Sequence, residues 1–185
     1  NVTIKVGNDT YTAEVIDGVA TINLENVSAG THDIEVEYSG DGTHSPKTVE
    51  SSVTIPKKST PISVTAHDIY VGDTEHIVVT VPEGATGIIS IEINAMQYNA
   101  TIENGKAVFD VTGLTFGNKT VAVTYWGDVN YVENFTTGQF EVKKCPSTVD
   151  ATSKNIKAGK DEPIKVVVPD DATGRVTVTI EGVDY

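Results

Sequence analysis

Between Ile62 and Val142 the chain alternates apolar and polar residues in runs of five to eight, each ended by Gly, Asn, Asp or Pro. The alternation predicts seven strands: A (62–66), B (75–81), C (87–94), C′ (97–103), E (106–112), F (119–126) and G (135–142). The turns between them read "VGD", "PEGAT", "NAM", "ENGK", "LTFGN" and "GDVN". The apolar residues are largely Val and Ile interleaved with Thr, the composition of strands rather than helices.

The pattern recurs. "VPEGATG" (81–87) returns as "VPDDATG" (168–174), and a shift of 87 residues aligns the chain with itself without a gap. "HDIEVEYSGDGTH" (32–44) falls on "KTVAVTYWGDVNY" (119–131). The copies show which face is buried. In strand F, Ile34, Val36 and Tyr38 match Val121, Val123 and Tyr125, whereas the alternate positions hold Asp33, Glu35 and Glu37 against Thr120, Ala122 and Thr124. Charge appears only in the second set, so the first faces the core. The same comparison sends inward Ile77, Val79, Val81, Ile89, Ile91, Ile93, Tyr98, Ala100, Ile102, Ala107, Phe109, Val111, Phe140 and Val142.

Alternation stops at "PKKSTP" (56–61) and "KKCPST" (143–148), short linkers punctuated by Pro and Lys. Residues 58–144 are then one complete unit. Residues 1–57 are the C-terminal part of a unit, strands C to G, and 145–185 the N-terminal part of another, strands A to C. Neither fragment is expected to be stable alone, because each leaves an apolar sheet uncovered. Either the 185 residues are a window on a longer array, or the partial units are completed by neighbouring copies.

Seven short antiparallel strands per unit is the count of an immunoglobulin-like sandwich. The fold class expected is all-β, a tandem array of such sandwiches with an 87-residue period. Thr86-Gly87, Asn104-Gly105, Ala107, Leu114, Gly117, Tyr125, Gly127-Asp128 and Tyr131 stand at the spacing of a known motif. Through them the chain resembles the bacterial Ig-like domain family, group 3, over essentially its whole length. The first copy keeps Asp17-Gly18, Gly30, Tyr38 and Gly40-Asp41 but has His44 for the last Tyr. The resemblance is to repeats of large adhesin-like surface proteins of methanogenic archaea and bacteria. It implies an extracellular stalk module with no catalytic residues.

The formal net charge of −13 argues against nucleic acid, whose phosphates would be repelled. No stretch approaches the roughly 20 apolar residues of a membrane-spanning helix, so no membrane insertion of this segment is expected. A single cysteine, Cys145, excludes a disulfide framework, and four scattered His residues give no zinc spacing. No cofactor or metal is expected. Six N-x-S/T sequons begin at Asn1, Asn8, Asn26, Asn99, Asn118 and Asn134, against about two expected by chance from the composition, and are candidate glycosylation sites. Asp41 and Asp128 recur in the F–G loop with too few neighbouring carboxylates for calcium, so an Asx-type turn is expected there. No Lys is assigned to a core face, which argues against an intramolecular crosslink. Trp126 and Tyr131 are candidate ligand contacts for a surface glycan or protein, although their counterparts are Ser39 and His44.

Three roles stay open: a stalk that projects a head, a glycan- or protein-binding module, and a filament subunit that exchanges strands between partial units. No enzyme constellation recurs. The strand directions place the B–C, C′–E and F–G loops at the pole where the preceding linker enters. Pro82, Thr86, Gly87, Gly127, Asp128 and Asn130 are therefore the expected inter-unit junction, with Lys57–Pro61 beside Gly127–Asn130.

Overall fold

The alternating sequence folds into β-structure throughout. In a computed structural model describing all 185 residues, strands are the sole regular elements. Two compact units form, Asn1–Val142 and Lys143–Tyr185.

The first unit contains three sheets. Strands β1 (Val2–Val6), β2 (Asp9–Ala13), β3 (Gly30–Tyr38) and β4 (Lys47–Ile55) make a four-stranded sheet ordered β2-β1-β3-β4. Strands β5 (Ser63–Thr65), β7 (Glu75–Thr80) and β10 (Lys106–Val111) form a three-stranded sheet ordered β10-β7-β5. The third sheet, ordered β6-β12-β11-β8-β9, takes β6 (Ile69–Tyr70), β8 (Ile88–Ile93), β9 (Met96–Thr101), β11 (Gly117–Tyr125) and β12 (Asn134–Lys143). The last two sheets share one apolar cluster and make a β-sandwich. Ile77, Val79 and Phe109 of the smaller sheet meet Ile89, Val121, Val123, Tyr125 and Val142 of the larger, all of them buried. Each such side chain contributes roughly 1.5–3 kcal/mol on full burial.

Two sequence expectations change here, and a third holds with less burial. The single strand A (62–66) becomes two, because the chain leaves β5 at Ala66 and joins the opposite sheet as β6, giving eight strands between residues 58 and 144. Asp68 holds the crossing by accepting the Glu141 N–H at 2.9 Å. Each half is too short to show its own alternation. Tyr98, Ala100 and Ile102 pack against the core cluster on the expected face but are only half-buried, since β9 is a sheet edge. Lys119 lies on the core face of β11 with Val121 and Val123 and is buried, contrary to the expectation that no Lys does. It sits where the strand begins, so its ammonium reaches Thr115 Oγ1 at 3.3 Å and the Phe116 carbonyl at 3.4 Å.

The four-stranded sheet looks different from its counterpart. Val2, Ile4, Ile34, Val36, Tyr38, Val53 and Ile55 are half-buried, whereas the residues 87 positions later are 0–5% exposed. Strand E, expected again over residues 19–25, does not form, and only an isolated Ile16–Val19 bridge appears. The physical reason is pairing: β10 is held by β7, and residues 1–57 hold no counterpart of β7.

Unit Lys143–Tyr185 contains two small sheets. Strand β13 (Asp150–Thr152) pairs with β14 (Lys165–Val167), and β15 (Thr179–Ile180) with β16 (Val183–Asp184). The register Asp150↔Val167, Ala151↔Val166 and Thr152↔Lys165 equals that of Ser63↔Thr80, Val64↔Val79 and Thr65↔Val78 shifted by 87. Strand C is reduced here to the two residues of β15, because the β11-like strand that would pair with it is absent from residues 145–185.

Candidate functional site

Three loops meet at one pole of the sandwich, and Asp128 ties two of them together. Its Oδ1 accepts the N–H groups of Asn130 at 2.7 Å and Tyr131 at 2.8 Å, forming an Asx-type turn. Its Oδ2 accepts the Thr86 N–H at 2.8 Å and the Thr86 hydroxyl at 2.9 Å. Burial pushes the carboxyl pKa up, but the donors from Thr86, Asn130 and Tyr131 outweigh it and hold the group at about 2. The Tyr125 hydroxyl, which donates to the Thr86 carbonyl at 3.1 Å, is pushed up to about 12 by burial and then by the nearby Asp128. Gly127 precedes with φ +79°, and a Cβ there would lie 2.8 Å from the Tyr131 carbonyl oxygen, so the turn requires glycine.

The other loops are tied in by backbone groups. Val81 N–H donates to Gly105 O at 2.9 Å, and Ala85 N–H to Pro82 O at 3.1 Å. Gly87, with φ +101°, accepts the Ile102 N–H at 3.0 Å. The Tyr131 hydroxyl donates to Glu83 O at 2.9 Å.

The preceding linker lies against this pole. Lys58 N–H donates to Asn130 O at 2.7 Å, and Val132 N–H to Lys58 O at 3.0 Å. Lys57 Nζ reaches Asp128 O at 2.6 Å. Asn130 Oδ1 accepts the Ala29 N–H at 2.9 Å, so the loop before β3 touches the turn as well. Thr60 is fixed from both sides, its hydroxyl donating to Val132 O and its carbonyl accepting from Asn134 Nδ2, each at 2.6 Å. Of the six expected junction residues, Asp128 and Asn130 contact the linker or preceding loop directly. Thr86 acts through Asp128, while Gly127, Pro82 and Gly87 shape the loops.

The same turn exists 87 residues earlier. Asp41 Oδ1 accepts the N–H groups of Thr43 at 2.8 Å and His44 at 2.7 Å, after Gly40 with the same φ of +79°. The position matching Thr86 precedes Asn1, and the Tyr38 hydroxyl donates to Oδ2 at 2.7 Å instead. That bond leads the donors that hold the Asp41 carboxyl well below the usual carboxylate range, ahead of those from Thr43 and His44.

Two buried charges were not foreseen. Besides Lys119, Glu75 is 1% exposed at the start of β7 and accepts the His67 N–H at 2.6 Å. Glu162 accepts the Lys154 N–H, the same pair 87 residues on. This recurrence was visible in the sequence, but a charged residue at a strand start reads as exposed.

Trp126 and Tyr131 do not form a joint aromatic surface. Tyr131 is 8% exposed, because its ring turns under the 81–87 loop, whereas Trp126 is 67% exposed. The missed neighbour is Phe135, 79% exposed, which with Trp126 and Glu133 lines a shallow cleft of about 400 Å³. Among the sequons, Asn8, Asn26, Asn99 and Asn118 are exposed, as is Asn1, whose ammonium contacts Ser39. Asn99 accepts the Ser90 hydroxyl at 2.7 Å, and Asn134 is half-buried with its amide nitrogen committed to Thr60.

No family model matches the chain, and no curated protein matches it. Among solved structures, it is similar to one from work on host cell surface retention of a 1.5-MDa bacterial ice-binding adhesin. The identity is 18% and the TM-score 0.37, over 81% of this chain. The chain spans 56% of that structure's length.

Proposed function

We propose that the chain is a stalk segment of a large extracellular adhesin-like surface protein, holding a functional head away from the cell. In this reading it consists of tandem immunoglobulin-like sandwiches with an 87-residue period and boundaries near residues 57 and 144. It has no catalytic role. The observation that carries the reading is the junction. Asn130 and Asp128 take hydrogen bonds from Ala29 and Lys57, so the F–G turn of one unit is fastened to the end of the unit before it. A turn fastened to the segment before it is what a spacer needs. The partners are then neighbouring units, with surface glycans or proteins met by the head. Exposed sequons such as Asn8 and Asn118 suit glycosylation, while Asn134 is expected to stay bare.

Scattering from chains of one, two and three tandem units tests this. A stalk adds a nearly constant length per unit, at least about 30 Å for nine-residue strands along the axis. Lengths that stop growing after the second unit would exclude a spacer. A second reading, a binding module, is favoured by the exposed Trp126 and Phe135 at one cleft. Aromatic faces beside Glu133 suit a sugar ring, and glycan titration against Trp126→Ala tests it.

A further inference from the structure

Residues 58–70 run beside β12 from its start to its end. Lys58 makes a parallel bridge with Tyr131, its N–H donating to Asn130 O and its carbonyl accepting the Val132 N–H. Thr60 donates its hydroxyl to Val132 O, and its carbonyl accepts from Asn134 Nδ2. Val64 then lies over Gly138, Asp68 accepts the Glu141 N–H at 2.9 Å, and β6 joins the sheet next to β12. From Thr60 to Asp68 the hydrogen-bonded partners stay 72–74 residues apart. An antiparallel pair would lose two residues of separation at every step, so the two segments run in the same direction.

Gly138 makes the close approach possible. A Cβ there would lie 2.7 Å from Val64 Cγ1, and a glycine inside a strand marks a place where another segment comes this near. The matching residue of β4, Ser51, carries a Cβ and could not lie under a valine in this way.

The shared direction decides what tension does. The chain enters the sandwich at Lys58, beside the start of β12, and leaves it at Lys143, where β12 ends. Tension along the chain therefore pulls residues 58–70 toward one pole and β12 toward the other. Parallel segments pulled this way slide past each other, so their contacts are strained together. An antiparallel hairpin pulled at its open end peels one bond at a time. Since β12 is also held by β11 over Asn134–Val142, residues 58–70 are the side that yields.

We infer that residues 58–70 and β12 form a shear clamp that sets the tension at which this sandwich opens. The inference rests on the stalk reading for its purpose, because a spacer transmits whatever pulls on its head. The chemistry recurs 87 positions on, where Ser147 keeps the hydroxyl of Thr60 and Asn155 the side-chain acceptor of Asp68.

Constant-force unfolding of the full chain, held at its two ends, tests the clamp. Opening of residues 58–143 should release about 270 Å, from roughly 3.6 Å per extended residue less the folded span, which identifies the event. Thr60→Val and Asp68→Ala remove ties near opposite ends of β12, and each should speed that event roughly fivefold. The double variant should speed it roughly 25-fold, because contacts strained together fail together and their effects multiply. Asp68 is exposed, so its removal leaves the fold intact. Ile91→Val is the control: it lies in β8, which β11 separates from β12, and it lowers the denaturant midpoint through lost core packing. It should change the rate under tension by no more than about twofold. An Asp68→Ala chain that opens at the wild-type rate, while Thr60→Val opens faster, would mean peeling from Lys58 and overturn the clamp. So would an Ile91→Val chain that accelerates as much as the clamp variants, since tension would then report overall stability. The spacer reading is judged by the scattering lengths, which these substitutions leave unchanged, so the failure of one is distinguishable from the failure of the other.

Discussion

Strands β3 and β11 have nearly the same pattern and different surroundings. In β11, Val121, Val123 and Tyr125 are 0–1% exposed beneath β7 and β10. In β3, Ile34, Val36 and Tyr38 are half-buried, although β3 pairs with β1 and β4 as β11 pairs with β8 and β12. Hydrogen-bonded pairing therefore follows from the local strand pattern and its neighbours in sequence. Burial does not. It requires the opposite sheet, and two of that sheet's three strands, β5 and β7, lie before the segment that matches residues 1–57.

The largest expected contrast is in the core. Val123→Asp places a charge where 1% of the side chain is exposed and should cost more than about 4 kcal/mol, unfolding the sandwich. Val36→Asp in the monomeric chain should cost on the order of 1 kcal/mol, since water already reaches that face. Thermal melts of the two variants, followed by near-ultraviolet circular dichroism, measure the difference. Equal losses would mean that the β3 face is buried after all.

A smaller contrast concerns Glu75 and Glu162, which accept the same backbone N–H in different settings. Glu75→Ala removes the acceptor of the part-buried His67 N–H and empties a buried site at the start of β7, for about 1–3 kcal/mol in a denaturant titration. Glu162→Ala acts on an exposed segment and should leave the main transition unchanged.

The least effect is pH-dependent and comes from Asp128. Its folded carboxyl, at about 2, is depressed below its unfolded value, so it contributes stability above the ordinary carboxylate range. That contribution should fall away as pH drops from about 4 to about 2. Asp128→Asn should flatten the slope of the melting temperature in this window and leave it parallel to wild type above pH 5. A slope unchanged by the substitution would show that the turn does not depend on the carboxylate.

The alternation of Val121, Val123 and Tyr125 against threonines made the strands and their inward faces legible, because a half-buried strand writes its environment with a period of two. The Gly-Asp turn was legible too, since a tight positive-φ glycine followed by an acceptor has few alternatives. Lys119 and Glu75 escaped, because their burial depends on where a strand end meets loops from elsewhere in the sequence. The split of strand A into β5 and β6 escaped for want of length. The missing ladder over residues 19–25 depends on a partner strand, which no pattern within those residues encodes. Tyr131 looked like a surface aromatic because nothing local announces that Glu83 O will hold its hydroxyl.

The central claim is that residues 1–57 and 58–144 are two copies of one unit, differing by the cover over an apolar sheet. Hydrogen exchange on a chain with residues 58–87 fused ahead of Asn1 tests it most directly. That segment supplies a second β5, β6 and β7 in the correct phase, with its Val64 changed to Ala to clear Ser51. If the two are copies, the amides of Ile34 and Val36 should slow to the rates of Val121 and Val123, and protection should appear over residues 19–25. Exchange in residues 1–57 that is unchanged by the added segment would contradict the claim.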